Sequence, residues 1–331
     1  MAVTFGVTLC IYIVTWSVNT FFPGELSIID LLSLDGRSKC PNNTAPDLYV
    51  ISLQQLSDYP FHKINEFFNE NPWITLFNHE LLPLNYVQID TNRMWGMLIT
   101  MYCIRKHAAG IQKVMKDVTK SETYGTKGGM GLSIRLYGRN VVLVSVNMSK
   151  DQTKRSLEYH KILSFMEFDN PKCSHILDHD YIFFFGNFDS QVKIHHNTKE
   201  LFDSIIQTPA NIPRLLKNDD LVVLRKTKQA FSTFLEQKIN FLPTFKFYPS
   251  NLLCICLNIF KSLFYTESDL YDKSQLPSWS DRILYYNQQR KHHSFLIKLK
   301  PLDYMSHFNY SQSNHKPVSA QFLYHVEVNL N

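Results

Sequence analysis

Runs of apolar, β-branched and aromatic residues recur along this 331-residue chain, and several of them end in short polar side chains. Runs of this composition predict β-strands. We expect strands at Val7–Val18, Leu48–Leu53, Tyr86–Ile89, Met94–Ile104, Leu132–Leu136, Val141–Val146, Tyr181–Phe185, Ile283–Tyr286 and Val318–Val328. Polar pairs at strand ends are Ser17/Asn19, Gln54/Gln55, Asn187/Asp189, Asp281/Arg282 and Asn314/His315. Because enzymes often keep their chemistry just past strand ends, this clustering predicts a shared polar cleft.

Helical patterns are few. Asp151–Phe165 and Asp219–Gln237 place apolar residues at near-helical intervals. Many strands with few helices between them predict an α/β protein with two packed sheets and helices on the outside. We find no internal repeat and no low-complexity linker, so we expect residues 1–331 to form a single domain.

Composition limits the class of protein and ligand. The net charge is +5, from 34 basic and 29 acidic residues, which suits an anionic ligand but is low for a nucleic-acid binder. No window approaches the roughly 20 apolar residues that a membrane span needs. The cysteines form no C-x-x-C pair, which predicts reduced thiols in a cytoplasmic protein. They are Cys10, Cys40, Cys103, Cys173, Cys254 and Cys256.

One apolar segment, Leu252–Phe264, stands between two stretches of loop-like composition. It is a buried strand or helix that fills a gap, a piece of non-coding sequence retained in the gene model, or an apolar loop that dips into a membrane surface. In each case it forms an insertion within the domain. The third alternative predicts peripheral contact with membranes.

An ordered pair of motifs, LPSWSDRILYY (Leu276–Tyr286) and NHKPVSAQF (Asn314–Phe322), resembles the inositol polyphosphate 5-phosphatases of the endonuclease/exonuclease/phosphatase superfamily. Further motifs follow in family order, so the resemblance spans nearly the whole chain. They are TWSVNT (Thr15–Thr20), PDLYVISLQQL (Pro46–Leu56), YGTKGGM (Tyr124–Met130), GNFDSQ (Gly186–Gln191), LLKNDDL (Leu215–Leu221) and INFLPTFKF (Ile239–Phe247).

This resemblance implies a four-layer α/β sandwich, in which two packed mixed β-sheets are flanked by helices and the site lies at one end. It also implies one Mg²⁺ and hydrolysis of the 5-phosphate of phosphoinositides or soluble inositol phosphates. In that chemistry water attacks phosphorus in line. The metal stabilises charge on the phosphoryl oxygens, and a His–Asp pair positions the water or the phosphate.

Several positions depart from the family motifs on the metal side. Gln55 stands where the family has the glutamate that holds Mg²⁺. Ser17 replaces the first asparagine of T-W-N-V-N, so that only the second, Asn19, is kept. Because Mg²⁺ prefers carboxylate oxygen and gives up its waters reluctantly, Gln55 and Asn19 predict a metal site of sharply reduced affinity.

Other departures fall on catalytic positions. Asn187 replaces the aspartate of G-D-L-N, Asp189 replaces its asparagine, and Asn314 replaces the aspartate of S-D-H. The histidine of V-N-S-H-L has no counterpart, and either Asn147 or Ser149 stands in its place. With Gln55, three carboxylates have become amides and one has been gained, so the cleft is less negative by about two charges.

The resemblance keeps a His–Asp pair and four cations. Asp281 and His315 match the family dyad, in which the carboxylate orients the imidazole. The positive charges that would face phosphate are Lys127, Lys246, Arg282 and Lys316. Two further phosphate-side positions are altered, to Thr126 and Gln191. As alternatives, Arg282 forms a structural ion pair, Lys127 lies solvated on a tight turn, and His315 is a structural histidine.

These substitutions favour a 5-phosphatase-like domain whose hydrolysis is lost or strongly weakened and which still binds phosphoinositide or inositol phosphate head groups. A first alternative is an active Mg²⁺-dependent phosphatase in which Asp189 supplies the missing carboxylate. Weaker alternatives are a nuclease of the same superfamily and a pure protein-interaction scaffold. No basic and aromatic strip for nucleic acid stands out, so we expect no nucleic-acid partner.

Overall fold

The computed structural model describes residues 3–56, 71–121, 126–193, 209–249, 271–272, 274–287 and 298–330. The strands are β1 Val3–Ser17, β2 Leu48–Gln54, β3 Tyr86–Met94, β4 Met97–Ile104, β5 Ile111–Lys120, β6 Gly128–Leu136, β7 Arg139–Asn147, β8 Tyr181–Asn187, β9 Leu235–Glu236, β10 Asp281–Asn287, β11 Lys298–Ser306 and β12 Val318–Leu330. The α-helices are α1 Pro72–Leu81, α2 Arg105–Ala108, α3 Gln152–Phe165, α4 Ile212–Leu216 and α5 Asp220–Lys226.

These strands form two six-stranded sheets. The first has the order β11-β12-β1-β2-β4-β3 and the second β5-β6-β7-β8-β10-β9. Both are mixed, because β1 and β2 run parallel in the first sheet and β7 and β8 run parallel in the second, whereas the other pairs are antiparallel. The two parallel pairs lie near the middle of their sheets and end at the same edge of the sandwich.

Alternation along the strands divides the apolar side chains into three layers. Inward-facing residues of both sheets meet in the central core, where Phe183 lies edge-to-face with Phe322 at 5.1 Å between ring centroids. A second layer joins the outer face of the first sheet to α1. A third joins the outer face of the second sheet to α3 and α5. The four-layer α/β sandwich is therefore confirmed.

Local capping explains where two of the packed helices begin. The side chain of Asn71 accepts a hydrogen bond from the backbone N–H of Trp73 at 3.0 Å, and Pro72 occupies the first helical position of α1. Asp151 caps α3 in the same way, through the N–H of Lys154 at 2.9 Å. These caps satisfy backbone donors that would otherwise lack partners at a helix start.

Most of the expected strands and helices are confirmed. One predicted helix is correct for its first two turns and wrong after them. The helix expected over Asp219–Gln237 ends at Lys226, because Lys228 and Phe231 adopt positive φ values of 58° and 56°. Phe231 is nevertheless fully buried in the third layer. The apolar spacing that predicted a helix therefore belongs to a turn that packs on this layer. The strands β5 and β11 were not expected.

A disulfide joins Cys10 of β1 to Cys40 of the following loop, with the two Cα atoms 5.7 Å apart. The prediction of reduced thiols is therefore wrong for this pair, although Cys103 is a free and buried thiol. A separation of 30 residues gives no local signal, since the pairing depends on the loop returning to β1. Disulfides persist in oxidising compartments, so this one counts against the cytoplasmic assignment.

Some of the features predicted from the sequence lie outside the described residues. This applies to the insertion Leu252–Phe264, and to Cys254 and Cys256 within it. Among the residues that are described, no helix has the length and hydropathy required to cross a membrane.

We expect Cys40→Ser to lower the free energy of unfolding by about 3 to 4 kcal/mol, because the bond closes a 30-residue loop in the unfolded chain. Denaturant unfolding with and without reductant measures the effect. Reductant should lower the stability of the parent protein toward that of Cys40→Ser and leave the variant unchanged. A parent protein that is insensitive to reductant would contradict the prediction.

Candidate functional site

At one end of the sandwich the central core changes from apolar to polar. Inward-facing side chains at the ends of five strands form a buried layer, which we call the polar floor. It consists of Thr15 and Ser17 of β1, Ser52 and Gln54 of β2, Ser145 and Asn147 of β7, Asn187 of β8, and Asp281 of β10. Each of these side chains is at most 1% exposed. Asp281 is the one carboxylate among them.

The first sheet's half of the floor is held by Gln54. Its side-chain oxygen lies 3.2 Å from Thr15 Oγ1 and 3.4 Å from Ser17 Oγ, and its nitrogen donates to Ser52 Oγ at 2.5 Å. Ser52 Oγ in turn lies 2.5 Å from Ser145 Oγ on the other sheet. Both ends of this amide are therefore hydrogen-bonded to protein partners, although the sequence motif assigned a role at the metal only to its neighbour Gln55.

The second sheet's half is built on Asn147 and Asn187, which are partners in the parallel β7–β8 ladder. The nitrogen of Asn187 donates to the side-chain oxygen of Asn147 at 3.3 Å, and its oxygen accepts the N–H of Asp189 at 2.8 Å. Asn147 also donates to the backbone oxygen of Thr126 at 3.1 Å. The amide that stands in place of a family aspartate is thus used to fix the turn that follows it.

Backbone geometry sets the spacing of this pair. Gly186 has a φ of 136°, and a Cβ atom there would lie 2.1 Å from the carbonyl oxygen of Val146. Only glycine fits at such an approach. Gly186 therefore fixes how closely β8 lies beside β7, and with it the separation of Asn147 and Asn187.

Asp281 and His315 form the expected dyad. His315 Nδ1 lies 2.6 Å from Asp281 Oδ2, and the imidazole stacks on Phe245 at 4.2 Å between ring centroids. Ser17 Oγ donates to the other carboxylate oxygen of Asp281 at 2.9 Å. The dyad is 2% exposed or less, and a proton on Nδ1 leaves Nε2 as the ring atom that can face a ligand.

Two hydrogen bonds attach the His315 loop to the end of β1, and a third lies within the loop. Trp16 Nε1 donates to the backbone oxygen of His315 at 3.1 Å, and Ser313 Oγ donates to the backbone oxygen of Ser17 at 2.6 Å. The backbone N–H of His315 donates to Ser313 Oγ at 3.1 Å. The adjacent Asn314 is half-buried, and its side-chain oxygen has only a long 3.4 Å contact with Ser313 Oγ.

Three of the four expected cations lie around the floor. Lys127 Nζ donates to Met148 O at 2.6 Å and to Asn147 Oδ1 at 3.1 Å, and lies 3.7 Å from the carboxylate of Asp189. Burial lowers its pKa, although the side chain keeps 27% exposure. Lys246 forms a 2.6 Å ion pair with Asp272 and is one-third exposed. Both lysines can therefore reach an anion in the cleft.

Lys316 is nearly fully buried beside His315. Its ammonium donates to the backbone oxygen of Tyr310 at 2.7 Å and lies 4.7 Å from the ring centroid of Phe247. Burial lowers its pKa to about 8. No carboxylate pairs with it in the described part of the chain.

Arg282 lies apart from these cations. Its Nε is 2.6 Å and its Nη2 2.7 Å from the two carboxylate oxygens of Glu236, and its Nη1 is 3.1 Å from Asp219. The side chain is fully buried. Arg282 therefore forms the structural ion pair that was the alternative for this residue. It is not placed to make the expected contact with phosphate.

Neither Gln55 nor Asn19 is part of the floor. Both residues adopt positive φ values just past the ends of β2 and β1, and the backbone N–H of Thr20 donates to Gln55 O at 2.7 Å. Asn19 is exposed. Within the described ranges, no group of three or more His, Cys, Asp or Glu side chains could hold a metal ion. With Asp281 occupied on both oxygens, the donors present do not fit the Mg²⁺ that the family uses.

One polar atom near the dyad was not predicted from the sequence. Thr244 is fully buried, and its Oγ1 has no hydrogen-bond partner among the residues that the structure describes. Its backbone oxygen accepts the N–H of Lys316 at 2.8 Å, so it lies in the same wall of the cleft. Buried polar atoms in proteins are nearly always satisfied, so an unpartnered hydroxyl here fits a bound anion or water. The P-T-F-K segment already lay within a recognised motif and could have drawn attention to it.

The sequence profile of endonuclease/exonuclease/phosphatase family 2 matches residues 14–321. The chain belongs to this family. Mouse inositol polyphosphate 5-phosphatase K is 28% identical over 96% of the chain, and mouse phosphatidylinositol 4,5-bisphosphate 5-phosphatase A is 27% identical over 95%. The chain spans only 66% and 30% of these two proteins. Its motifs and relatives identify an inositol polyphosphate 5-phosphatase-family domain.

Two further similarities concern the fold. The inositol polyphosphate 5-phosphatase domain of SpSynaptojanin, solved with inositol (1,4)-bisphosphate and calcium, superposes with a TM-score of 0.78 over 98% of this chain and 87% of that one. At 20% identity this similarity shows the fold alone. Nitrophorin Cim l NP of Cimex lectularius is 25% identical, and the match covers 91% of both proteins.

The lowered pKa of Lys316 gives a pH-dependent stability. In the unfolded chain the Lys316 ammonium keeps its proton up to about pH 10.5, whereas in the folded protein it releases the proton from about pH 8. The free energy of unfolding therefore rises with pH across this window. We expect the stability of Lys316→Met relative to the parent protein to fall by roughly 2 kcal/mol between about pH 8 and 9.5. Denaturant unfolding at the two pH values measures this change.

Lys154→Met is the matched control, because Lys154 is exposed on α3 and its side chain stays in contact with water. Its stability relative to the parent protein should not change between the two pH values. A pH-independent difference for Lys316→Met would show that the ammonium is not desolvated in the folded protein.

Proposed function

We propose that this 5-phosphatase-family domain binds the phosphate groups of inositol phosphates or phosphoinositide head groups and has lost most or all Mg²⁺-dependent hydrolysis. The observation that carries the proposal is the polar floor. Its single carboxylate, Asp281, accepts hydrogen bonds from Ser17 and His315, and its amides bond to one another and to the backbone. No unused carboxylate remains on the floor to offset the dehydration of Mg²⁺.

The expected loss of rate is large. Removing one preorganised group that stabilises transition-state charge costs about 10²–10³ in rate. Groups that act as a unit are not additive, so several replacements together leave little above background instead of multiplying the loss. A His–Asp pair without the metal can still position a phosphate, but it lacks the charge that a phosphoryl transition state requires.

Binding of an anionic ligand is favoured by the positive charge that remains around the floor. Lys127, Lys246 and Lys316 lie around the floor, and within the described ranges the carboxylates paired with them are Asp189 and Asp272. The unpartnered hydroxyl of Thr244 adds a neutral donor. A cleft with more donors than carboxylates attracts polyanions, and its pull weakens with salt. The names of the relatives, which act on phosphoinositides and inositol phosphates, support this class of ligand.

The alternative of an active phosphatase built on Asp189 has less support. Its carboxylate lies 3.7 Å from Lys127, and its backbone has a positive φ of 49° next to Asn187. A carboxylate that faces an ammonium is already partly neutralised and is a poorer metal ligand. One relative, similar over 91% of both chains, is named as a nitrophorin. Its name supports the view that a chain of this fold can have a function other than phosphatase activity.

We expect the parent protein to release no more phosphate from phosphatidylinositol 4,5-bisphosphate with Mg²⁺ than its His315→Ala variant does. Restoring Ser17→Asn, Gln55→Glu, Asn187→Asp, Asp189→Asn and Asn314→Asp together should raise the rate at least ~100-fold, since one regained group is worth that much. Phosphate release at high protein concentration is the measurement.

Calorimetric titration with Mg²⁺ alone keeps the test decisive if the restored variant does not fold. The parent protein should give no binding heat. Saturable Mg²⁺ binding by the parent protein, or turnover that His315→Ala abolishes, would overturn the loss of hydrolysis while leaving phosphate binding to be judged separately.

For ligand binding, we expect Lys127→Gln to weaken the affinity for soluble inositol trisphosphate about tenfold or more at low salt. A charge-assisted hydrogen bond is worth roughly 1.5 to 3 kcal/mol. The matched control is Lys172→Gln, which removes one exposed charge from the loop between α3 and β8. Equal losses in both variants would mean that overall charge, and not the cleft, sets the affinity.

A further inference from the structure

The chain contains three Asn-X-Ser/Thr sequences, the acceptor tripeptide for N-linked glycosylation. They are Asn42-Asn43-Thr44, Asn147-Met148-Ser149 and Asn309-Tyr310-Ser311. A match to so short a motif carries little weight by itself. The surroundings of each asparagine decide which of them can carry a glycan in the folded protein.

Asn42 lies in the loop between Cys40 and β2. It is exposed and belongs to a short turn, Pro41–Asn43, in which no side chain is buried. The N–H of Asn43 holds this turn by donating to Cys40 O at 2.9 Å. Within the described residues the side-chain amide of Asn42 forms no hydrogen bond. A glycan on its nitrogen would therefore extend into solvent without displacing packed atoms.

Asn309 lies in the loop between β11 and β12, which also carries His315. The next residue, Tyr310, is buried and fixes the turn, because its hydroxyl donates to Ser27 O at 3.1 Å and its ring lies edge-to-face with Trp16 at 5.3 Å. Asn309 itself is exposed, and its amide has no hydrogen-bond partner in the described ranges. This nitrogen too is open to solvent.

Asn147 has the opposite surroundings. Its side chain is 1% exposed on the polar floor, its nitrogen donates to Thr126 O at 3.1 Å, and its oxygen accepts from Lys127 Nζ at 3.1 Å. A sugar on this nitrogen would break these bonds and would need volume in the packed end of the core. A chain glycosylated at this position could not form the floor.

The Cys10–Cys40 disulfide is an independent observation that indicates the same modification. Disulfides persist in the lumen of the secretory pathway and outside the cell, and they are rare in the cytosol. N-linked glycans are a feature of surface loops in secreted proteins. Because Asn42 follows Cys40 by two residues, the first acceptor lies in a segment whose cysteine chemistry is already that of a secreted protein.

We propose that the folded protein carries N-linked glycans on Asn42 and Asn309 and none on Asn147. In this reaction the side-chain nitrogen attacks the anomeric carbon of an oligosaccharide that is linked to a polyprenyl pyrophosphate. A C–N bond forms, and the C–O bond to the pyrophosphate breaks. The polyprenyl pyrophosphate leaves with the bonding electrons, and the amide loses one proton to a base of the glycosyltransferase.

The two glycans would lie at opposite ends of the sandwich. The β2 strand begins at Leu48, shortly after Asn42, and its other end, Gln54, lies on the polar floor. Six residue steps along this strand span roughly 20 Å. Asn309, by contrast, precedes Tyr310, whose backbone oxygen accepts the Lys316 ammonium beside the floor. The two additions are therefore independent, and each asparagine should contribute its own increment of mass.

The test uses the protein isolated from its native source. Peptide N-glycosidase in heavy-oxygen water converts each glycan-bearing asparagine into labelled aspartate, which peptide mass spectrometry locates. We expect the label at Asn42 and Asn309 and unlabelled asparagine at Asn147. Absence of the label from either Asn42 or Asn309 overturns the proposal, and so does a label at Asn147.

Variants of the full chain, secreted from cultured eukaryotic cells, assign each increment of mass. Asn42→Gln and Asn309→Gln should each lose one glycan, seen as one step of increased mobility in denaturing electrophoresis. Thr44→Ala removes the first acceptor while keeping Asn42, and it should migrate as Asn42→Gln does. The matched control is Asn43→Gln, which changes the middle position, keeps the acceptor and should migrate as the parent protein does. A shift in Asn43→Gln equal to that in Asn42→Gln would contradict the assignment.

Discussion

The carboxylate of Asp281 is the interaction on which the polar end of the sandwich depends. It stands on the second sheet and accepts hydrogen bonds from Ser17 of the first sheet and from His315 in the loop before β12. A buried carboxylate without such partners would be very costly, so these two bonds are a condition for its presence. These two bonds therefore tie the two halves of the floor to each other and to the histidine loop.

The sequence could identify this end of the molecule but not its hydrogen bonds. The polar pairs after β1, β2, β8 and β10 and the motifs around Asp281 and His315 predicted a shared cleft, and the fold confirms that these strand ends meet. No local pattern shows that Ser17 bonds to Asp281 or that Gln54 faces inward, because both facts depend on residues hundreds of positions apart or on strand register. The same reason hides the Cys10–Cys40 pair.

Misjudged elements have a common physical origin. The stretch after Lys226 has helical spacing, yet Phe231 reaches the core from a left-handed turn. The strand β5 alternates exposed and half-buried residues, so it lacks the continuous apolar run that marks β7 and β8. Arg282 looked like a phosphate ligand because it lies in a catalytic motif, whereas Glu236, far away in sequence, determines its role. In each case a tertiary partner outweighs a local pattern.

Gly186 shows how such a site can change without loss of the fold. The approach of β8 to β7 is set by a backbone contact with Val146 and not by the side chains of Asn147 and Asn187. Substitutions on the floor therefore alter charge and hydrogen bonding while the strands keep their spacing. A chain that keeps this glycine can carry either an amide or a carboxylate at position 187 with the same strand spacing. Selection on chemistry and selection on architecture act here on different atoms.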